Sequence, residues 1–172
     1  MCNGNSTEPT YFHELKRSLR NSAVKVKIAK KTLAPEGLVK FASEITKCSG
    51  DDFDQVWCVM DFDDFDFERA KARAENFHVQ LAVSNPCFEL WLLLHHRKCT
   101  APLCDEKHAR HQLRKYVPEY KKNDLRFERF KRGVADAIQR AECLDPTGRN
   151  YGRDPSSGVW KLVLLIMNGQ IP

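Results

Sequence analysis

Val56-Trp57-Cys58-Val59-Met60-Asp61-Phe62-Asp63-Asp64 is an apolar run that ends in carboxylates spaced two apart. A run this short and this apolar reads as a buried strand, and strands of open α/β sheets present ligands from their C-terminal edge. Residues at i and i+2 share one face of an extended chain, so Asp61 and Asp63 can turn their oxygens to the same hard cation. The pattern points to a magnesium site. Carboxylates also follow strands for a plainer reason: loops are solvated, and Asp64 or Asp66 suits the N-cap of a helix starting near Phe67.

Outward from this strand the chain alternates between the two periodicities. Toward the N-terminus, Phe12, Leu15 and Leu19 fall at i, i+3 and i+7 of a helix over 11–19. Val24-Lys25-Val26-Lys27-Ile28 alternates strictly and predicts a strand, and Pro35 opens a helix running to 45. Toward the C-terminus, a helix over 67–77 leads to a strand over 79–83 that turns Leu81 and Val83 to the core. Ser84-Asn85-Pro86 reads as a tight turn, because the residue before proline avoids helical geometry. The segment 87–96 holds Phe88, Leu90, Trp91, Leu92, Leu93 and Leu94, too apolar for a surface helix, so it is expected against the sheet.

The last third is more helical. A helix is expected over 106–116, and another over 125–144 with Phe127, Phe130, Val134, Ile138 and Ala141 as one apolar stripe. An exposed loop over 145–155 precedes a final apolar helix over 159–167, whose face suits packing in cis or across a homo-oligomer. The expectation is one domain, with an α/β core over 1–96 and a helical part over 97–172 packed on it.

A chain of 172 residues with 42% hydrophobic content fills a real core. No run reaches the roughly 20 apolar residues of a membrane span. Met1-Cys2-Asn3-Gly4-Asn5 has neither the basic nor the apolar region of a secretion signal, so a cytoplasmic location without membrane partners is expected. Seven cysteines, an odd number, suit a reducing compartment better than a disulfide framework. His95, His96, Cys99, Cys104, His108 and His111 are zinc-ligand types, but their spacing matches no common finger.

The net charge of +5 conceals a division. Residues 51–68 carry eight acids and no base, whereas 97–132 carry twelve Lys and Arg against five Asp and Glu. An acidic site beside a basic segment is what metal-dependent chemistry on a polyphosphate needs, and a solvated helix face is the plainer reading. Lys107, Arg110, Arg114, Lys121 and Lys122 are the candidates to hold a phosphate backbone, with Arg110 and Arg114 four apart on one helix face. Glu89, between Phe88 and Leu90, is costly to bury ionised unless a cation or donors meet it. His95, on an apolar helix, reads as a packed core residue before a proton donor. No Walker A pattern occurs, so any nucleotide motor is a partner.

Three segments carry a resemblance: Cys2-Asn3-Gly4-Asn5-Ser6-Thr7-Glu8-Pro9-Thr10-Tyr11-Phe12, the stretch from Val56 to Asp63, and Ser84-Asn85-Pro86-Cys87-Phe88-Glu89-Leu90-Trp91-Leu92-Leu93-Leu94-His95. Together with Pro155-Ser156-Ser157-Gly158-Val159 they resemble the RloB family, which is linked to phage defence and abortive infection and is similar to Toprim domains. The resemblance implies an α/β fold with a Toprim-like open, mostly parallel sheet flanked by helices. It also implies acids that bind Mg2+ or Mn2+ for phosphodiester chemistry on DNA or RNA. Asp61 and Asp63 match the family's Asp-x-Asp pair, Glu8 matches the second acid of its Glu-Gly motif, and Glu89 and His95 match the helix after the Asn-Pro turn.

One departure stands out. Asn3 occupies the place of the family's first acid, and only two residues precede it, so the expected first strand is almost wholly missing. Asn donates an oxygen to a cation but cannot ionise. The expected function is thus a metal-dependent nuclease, with Glu8, Asp61, Asp63 and Glu89 as its catalytic acids and Glu8, Asp61 and Asp63 as metal ligands. The alternative is a catalytically degenerate nucleic-acid-binding or adaptor subunit working with an AAA or ABC-type ATPase.

Overall fold

The computed structural model describes residues 7–19, 28, 33–48, 53–62 and 67–168. Its elements run α1 (Thr7–Leu19), α2 (Pro35–Cys48), β1 (Val56–Asp61), α3 (Phe67–Asn76), β2 (Val79–Asn85), α4 (Phe88–Leu94), α5 (Glu106–Arg114), α6 (Val134–Leu144), β3 (Ser156–Ser157) and α7 (Val159–Asn168). The class is mixed α/β around a small open sheet of three strands in the order β1-β2-β3. β1 and β2 pair in parallel from Val56↔Val79 to Asp61↔Ser84, joined through α3. The short β3 pairs antiparallel to the end of β2.

The period of two along the strands explains why the sheet is covered on both faces. Cys58 and Met60 of β1 and Val79, Leu81 and Val83 of β2 pack with Leu38, Val39, Phe67, Ala70 and Ala74 of α2 and α3. Val59 and Ala82, one step out of phase, join the larger cluster on the other face with residues of α1, α4, α5, α6 and α7. α4 sits inside this cluster with every residue from Phe88 to Leu94 buried, so its polar capping groups must find partners within the protein.

His95, the C-cap of α4, shows how. Its Nδ1 lies 2.9 Å from the Trp91 carbonyl and its Nε2 lies 2.9 Å from the Tyr11 hydroxyl. A carbonyl only accepts, so Nδ1 carries the proton and Nε2 accepts from Tyr11. Burial, which outweighs these bonds, holds the imidazole neutral with a pKa lowered to about 3. Tyr11→Phe leaves that buried acceptor alone and is expected to cost about 2 kcal/mol. A thermal melt would read this as a fall of roughly 4–8 °C for a chain of this size, and an unchanged melting temperature would show the bond to be immaterial.

Several boundaries differ from the sequence expectation. α1 begins at Thr7 rather than 11, and α5 stops at Arg114 rather than 116. β2 continues through Ser84 and Asn85, where a turn was expected. The extension is held by β3: Ser84 Oγ lies 2.8 Å from Ser157 Oγ, and Asn85 Nδ2 donates to the Tyr151 carbonyl at 3.0 Å. The Asn85-Pro86 and Asp154-Pro155 peptides are cis.

The expected helix over 125–144 is instead two 3-10 turns, Phe127–Arg129 and Lys131–Gly133, followed by α6 from Val134. The apolar spacing was right about burial, since Phe127, Phe130, Val134, Ile138 and Ala141 are all in the core. It was wrong about the path, because the chain there comes against the end of α4. A Cβ on Gly133 would stand 2.3 Å from the His95 carbonyl oxygen. The strand expected over 24–28 lies outside the described residues except for Ile28.

Candidate active site

Three carboxylates from three elements lie within electrostatic range of one another near the C-terminal edge of β1. Asp61 is the last residue of that strand, Glu8 lies in the first turn of α1, and Glu89 lies in the first turn of α4. The positions have a local logic, because the partial positive charge of a helix N-terminus favours an acid in its first turn. The Phe88 N–H at the start of α4 donates to Asp61 Oδ1 at 2.8 Å and so fixes the strand end to that helix. Glu89, only 1% exposed, accepts from the Tyr120 hydroxyl at 3.1 Å through Oε1. Thr7 Oγ1 donates to the Lys122 carbonyl, which joins the start of α1 to the segment after α5.

Burial and neighbouring acids raise the proton affinity of Asp61 and of Glu8. Burial first, and then the charges of Glu8 and Glu89, lift the Asp61 carboxyl to about 7 against the lowering effect of the Phe88 bond. Burial also lifts Glu8, helped by Glu89 and opposed by a backbone hydrogen bond and by Lys122. Glu8 is 3% exposed and its Oε2 finds no hydrogen-bond partner among the described residues. The nearby cation, Lys122, is itself 3.0 Å from Glu106 Oε2. Burial lowers the Lys122 pKa, but Glu106, Glu89 and Asp61 outweigh it and hold the ammonium charged. Negative charge therefore exceeds positive charge at this edge, and such a site is relieved by a proton or by a further cation.

Of the residues expected from sequence, Glu8, Asp61 and Glu89 are brought into one electrostatic neighbourhood, and Asp63 lies outside the described residues. Among the described residues no three or more His, Cys, Asp or Glu side chains gather in a way that could hold a metal ion. No such grouping forms among the His and Cys of 95–111. Both nitrogens of His95 are bonded in the core, Cys99 Sγ contacts the Ala101 carbonyl at 3.7 Å, and His108 Nε2 faces Gln112 Nε2 at 3.1 Å. The described cysteines Cys58, Cys87, Cys99, Cys104 and Cys143 are free thiols.

The five basic candidates divide. Lys107 and Lys121 are exposed. Arg110 pairs with Glu106 at 3.4 Å, alongside Lys122, and Arg114 Nε donates to the Tyr120 carbonyl at 3.2 Å. Lys122 thus belongs to the acidic site, as a counter-charge, rather than to an open basic face. Tyr120 and Thr7 went unrecognised in the sequence, where neither the 31 positions between Tyr120 and Glu89 nor the 115 between Thr7 and Lys122 leave a local signal.

No helix among the described residues is long and apolar enough to cross a membrane. Neither a curated protein nor a solved structure matches the chain. A family model described as RloB-like protein matches residues 1–166. That match spans nearly the whole sequence, including the strand that ends in Asp61 and the helix that carries Glu89, and the chain belongs to the RloB-like protein family.

Proposed function

We propose that this protein is a metal-dependent nuclease of a phage-defence system, cleaving phosphodiester bonds at the edge of a Toprim-like sheet. The observation that carries the reading is that Asp61 lies within electrostatic reach of Glu8 and Glu89, and that burial first and then those two charges raise its carboxyl to about 7. Their place at the C-terminal end of a parallel strand pair supports it, because that edge is where open α/β sheets bind ligands.

The donor set fits a hard divalent cation such as Mg2+ or Mn2+, since every candidate ligand is a carboxylate oxygen and Glu8 Oε2 is buried without a partner. Glu8 and Asp61 would hold it, together with Asp63. Bound there, the ion would supply Lewis-acid stabilisation of the charge on the scissile phosphate. The residues do the rest. The Phe88 N–H orients Asp61, and the Tyr120 hydroxyl orients Glu89. Lys122 offsets part of the negative charge that would otherwise repel a phosphate.

The absence of three gathered ligands among the described residues favours a second reading, an adaptor that binds nucleic acid for a partner ATPase. One experiment separates the two. The protein is melted with and without Mg2+, then incubated with plasmid DNA and total RNA in Mn2+, beside the Glu8→Gln/Asp61→Asn double variant. A nuclease gives a rise in melting temperature and cleavage that both disappear in the double variant. No metal response and no cleavage would leave the adaptor reading standing.

A further inference from the structure

Tyr116 is the most exposed large apolar side chain among the described residues, at 46%. It is not loosely held. Its ring is stacked on His96 with centroids 5.7 Å apart and planes 12° from parallel, and His96 in turn packs edge-on to Phe130 of the core at 5.4 Å. His96 is kept from charging by burial first and then by Arg140, so the pair is a neutral stack. The two turns that bring the rings together are rich in cations. His96 is followed by Arg97 and Lys98, and Tyr116 is preceded by Arg114 and Lys115, with no acid at 95–104 or 107–118. Lys98, Arg114 and Lys115 are exposed.

A flat aromatic held rigid from behind and flanked by cations is the combination that single-stranded nucleic acid recognises, through base stacking and phosphate contacts. The position relative to the carboxylates suits such a strand. Glu89 and His96 are seven residues apart, two turns along one face of α4 and its C-terminal turn, or about 10 Å at the rise of a helix. Tyr116 and Tyr120 are likewise joined by one short segment, and Arg114 just before it holds the Tyr120 carbonyl through Nε while the Tyr120 hydroxyl holds Glu89.

We propose that Tyr116, backed by His96 and flanked by Arg97, Lys98, Arg114 and Lys115, is a stacking platform for a base of a single-stranded nucleic acid. The inference rests on the nucleic-acid reading above and narrows it, in that the substrate is unpaired a few nucleotides from the bond presented to the acids.

The test is binding without turnover, so that its failure is separable from failure of the nuclease reading. Fluorescence anisotropy with labelled oligothymidine, oligouridine and a duplex is measured in EDTA for the wild type, Tyr116→Ala, Tyr116→Phe and Lys115→Glu. Single strands are expected to bind more tightly than duplex, Tyr116→Ala to weaken them about tenfold, and Tyr116→Phe to stay within about twofold of wild type. Lys115→Glu is expected to weaken binding and flatten its salt dependence. Equal affinity of wild type and Tyr116→Ala overturns the platform, as does a Phe variant as weak as the Ala variant, because a ring without a hydroxyl still stacks. Should Tyr116-dependent binding persist in a protein that never cleaves, the platform stands and only the nuclease reading falls.

Discussion

Asp61→Asn is expected to make the metal-free protein more stable than wild type at pH 8, by on the order of 3 kcal/mol once partial exposure of the site is discounted. Asp61 is lifted from its ordinary value of 3.8 to about 7, first by burial and then by Glu8 and Glu89. A carboxyl held more tightly protonated in the folded state loses stability as pH rises from about 4 to about 7, and the full penalty remains above that. Asn carries no such penalty, and its amide oxygen still accepts from the Phe88 N–H. The difference between variant and wild type should therefore vanish below pH 4 and grow to a plateau above pH 7.

The difference is the quantity to measure, because His95 acts in the opposite sense. Its pKa falls from 6.5 to about 3 by burial, so wild type and variant alike lose stability as pH drops through that window. Urea denaturation at several pH values in EDTA gives the two curves, and subtraction removes the shared histidine contribution. Adding Mg2+ is expected to reverse the order, since the ion stabilises only a site that keeps Asp61, and cleavage should fall to background in the variant. A variant no more stable than wild type at pH 8 in EDTA would mean that neither burial nor the neighbouring acids penalise an ionised Asp61 as described.

Gly133→Ala is the second large effect. The added Cβ would meet the His95 carbonyl oxygen at 2.3 Å, its carbon at 2.9 Å and its Cα at 3.0 Å, all backbone atoms that cannot rotate away. Overpacking commonly costs 1–3 kcal/mol, and a collision between two main chains belongs at or above the top of that range, about 3 kcal/mol. For a domain of this size the melting temperature should drop by roughly 6–12 °C. The strain falls where the Arg140 guanidinium caps α4 by donating to the Leu94 carbonyl at 2.7 Å, so the helix that carries Glu89 is disturbed as well. A melting temperature within about 2 °C of wild type would show that this approach relaxes freely.

Much of the fold was legible because periodicity is a local property. The apolar run before Asp61, the buried segment from Phe88 to Leu94 and the alternation through Leu81 and Val83 each predicted an element that is present. The stripe from Phe127 to Ala141 shows the limit of that reasoning. Apolar residues at helical spacing report which side chains are buried, but 3-10 turns bury them nearly as well as a continuous helix. Ser156 and Ser157 carry no strand signal, and they pair only because β2 is there to receive them.

The amino-acid sequence by itself determined the family, the covered β1 strand and the four acids Glu8, Asp61, Asp63 and Glu89 as candidates, since each stands in a local pattern. Only the tertiary structure decided that Glu8 and Glu89 raise the proton affinity of Asp61, that Tyr120 and Lys122 attend these acids, that Tyr11 and the Trp91 carbonyl hold the His95 ring, and that His96 stacks under Tyr116. Apart from the Trp91 bond, these are interactions between residues far apart in the sequence. Charge coupling and ring stacking depend on distance in space, and a one-dimensional pattern does not hold that distance until the chain has folded.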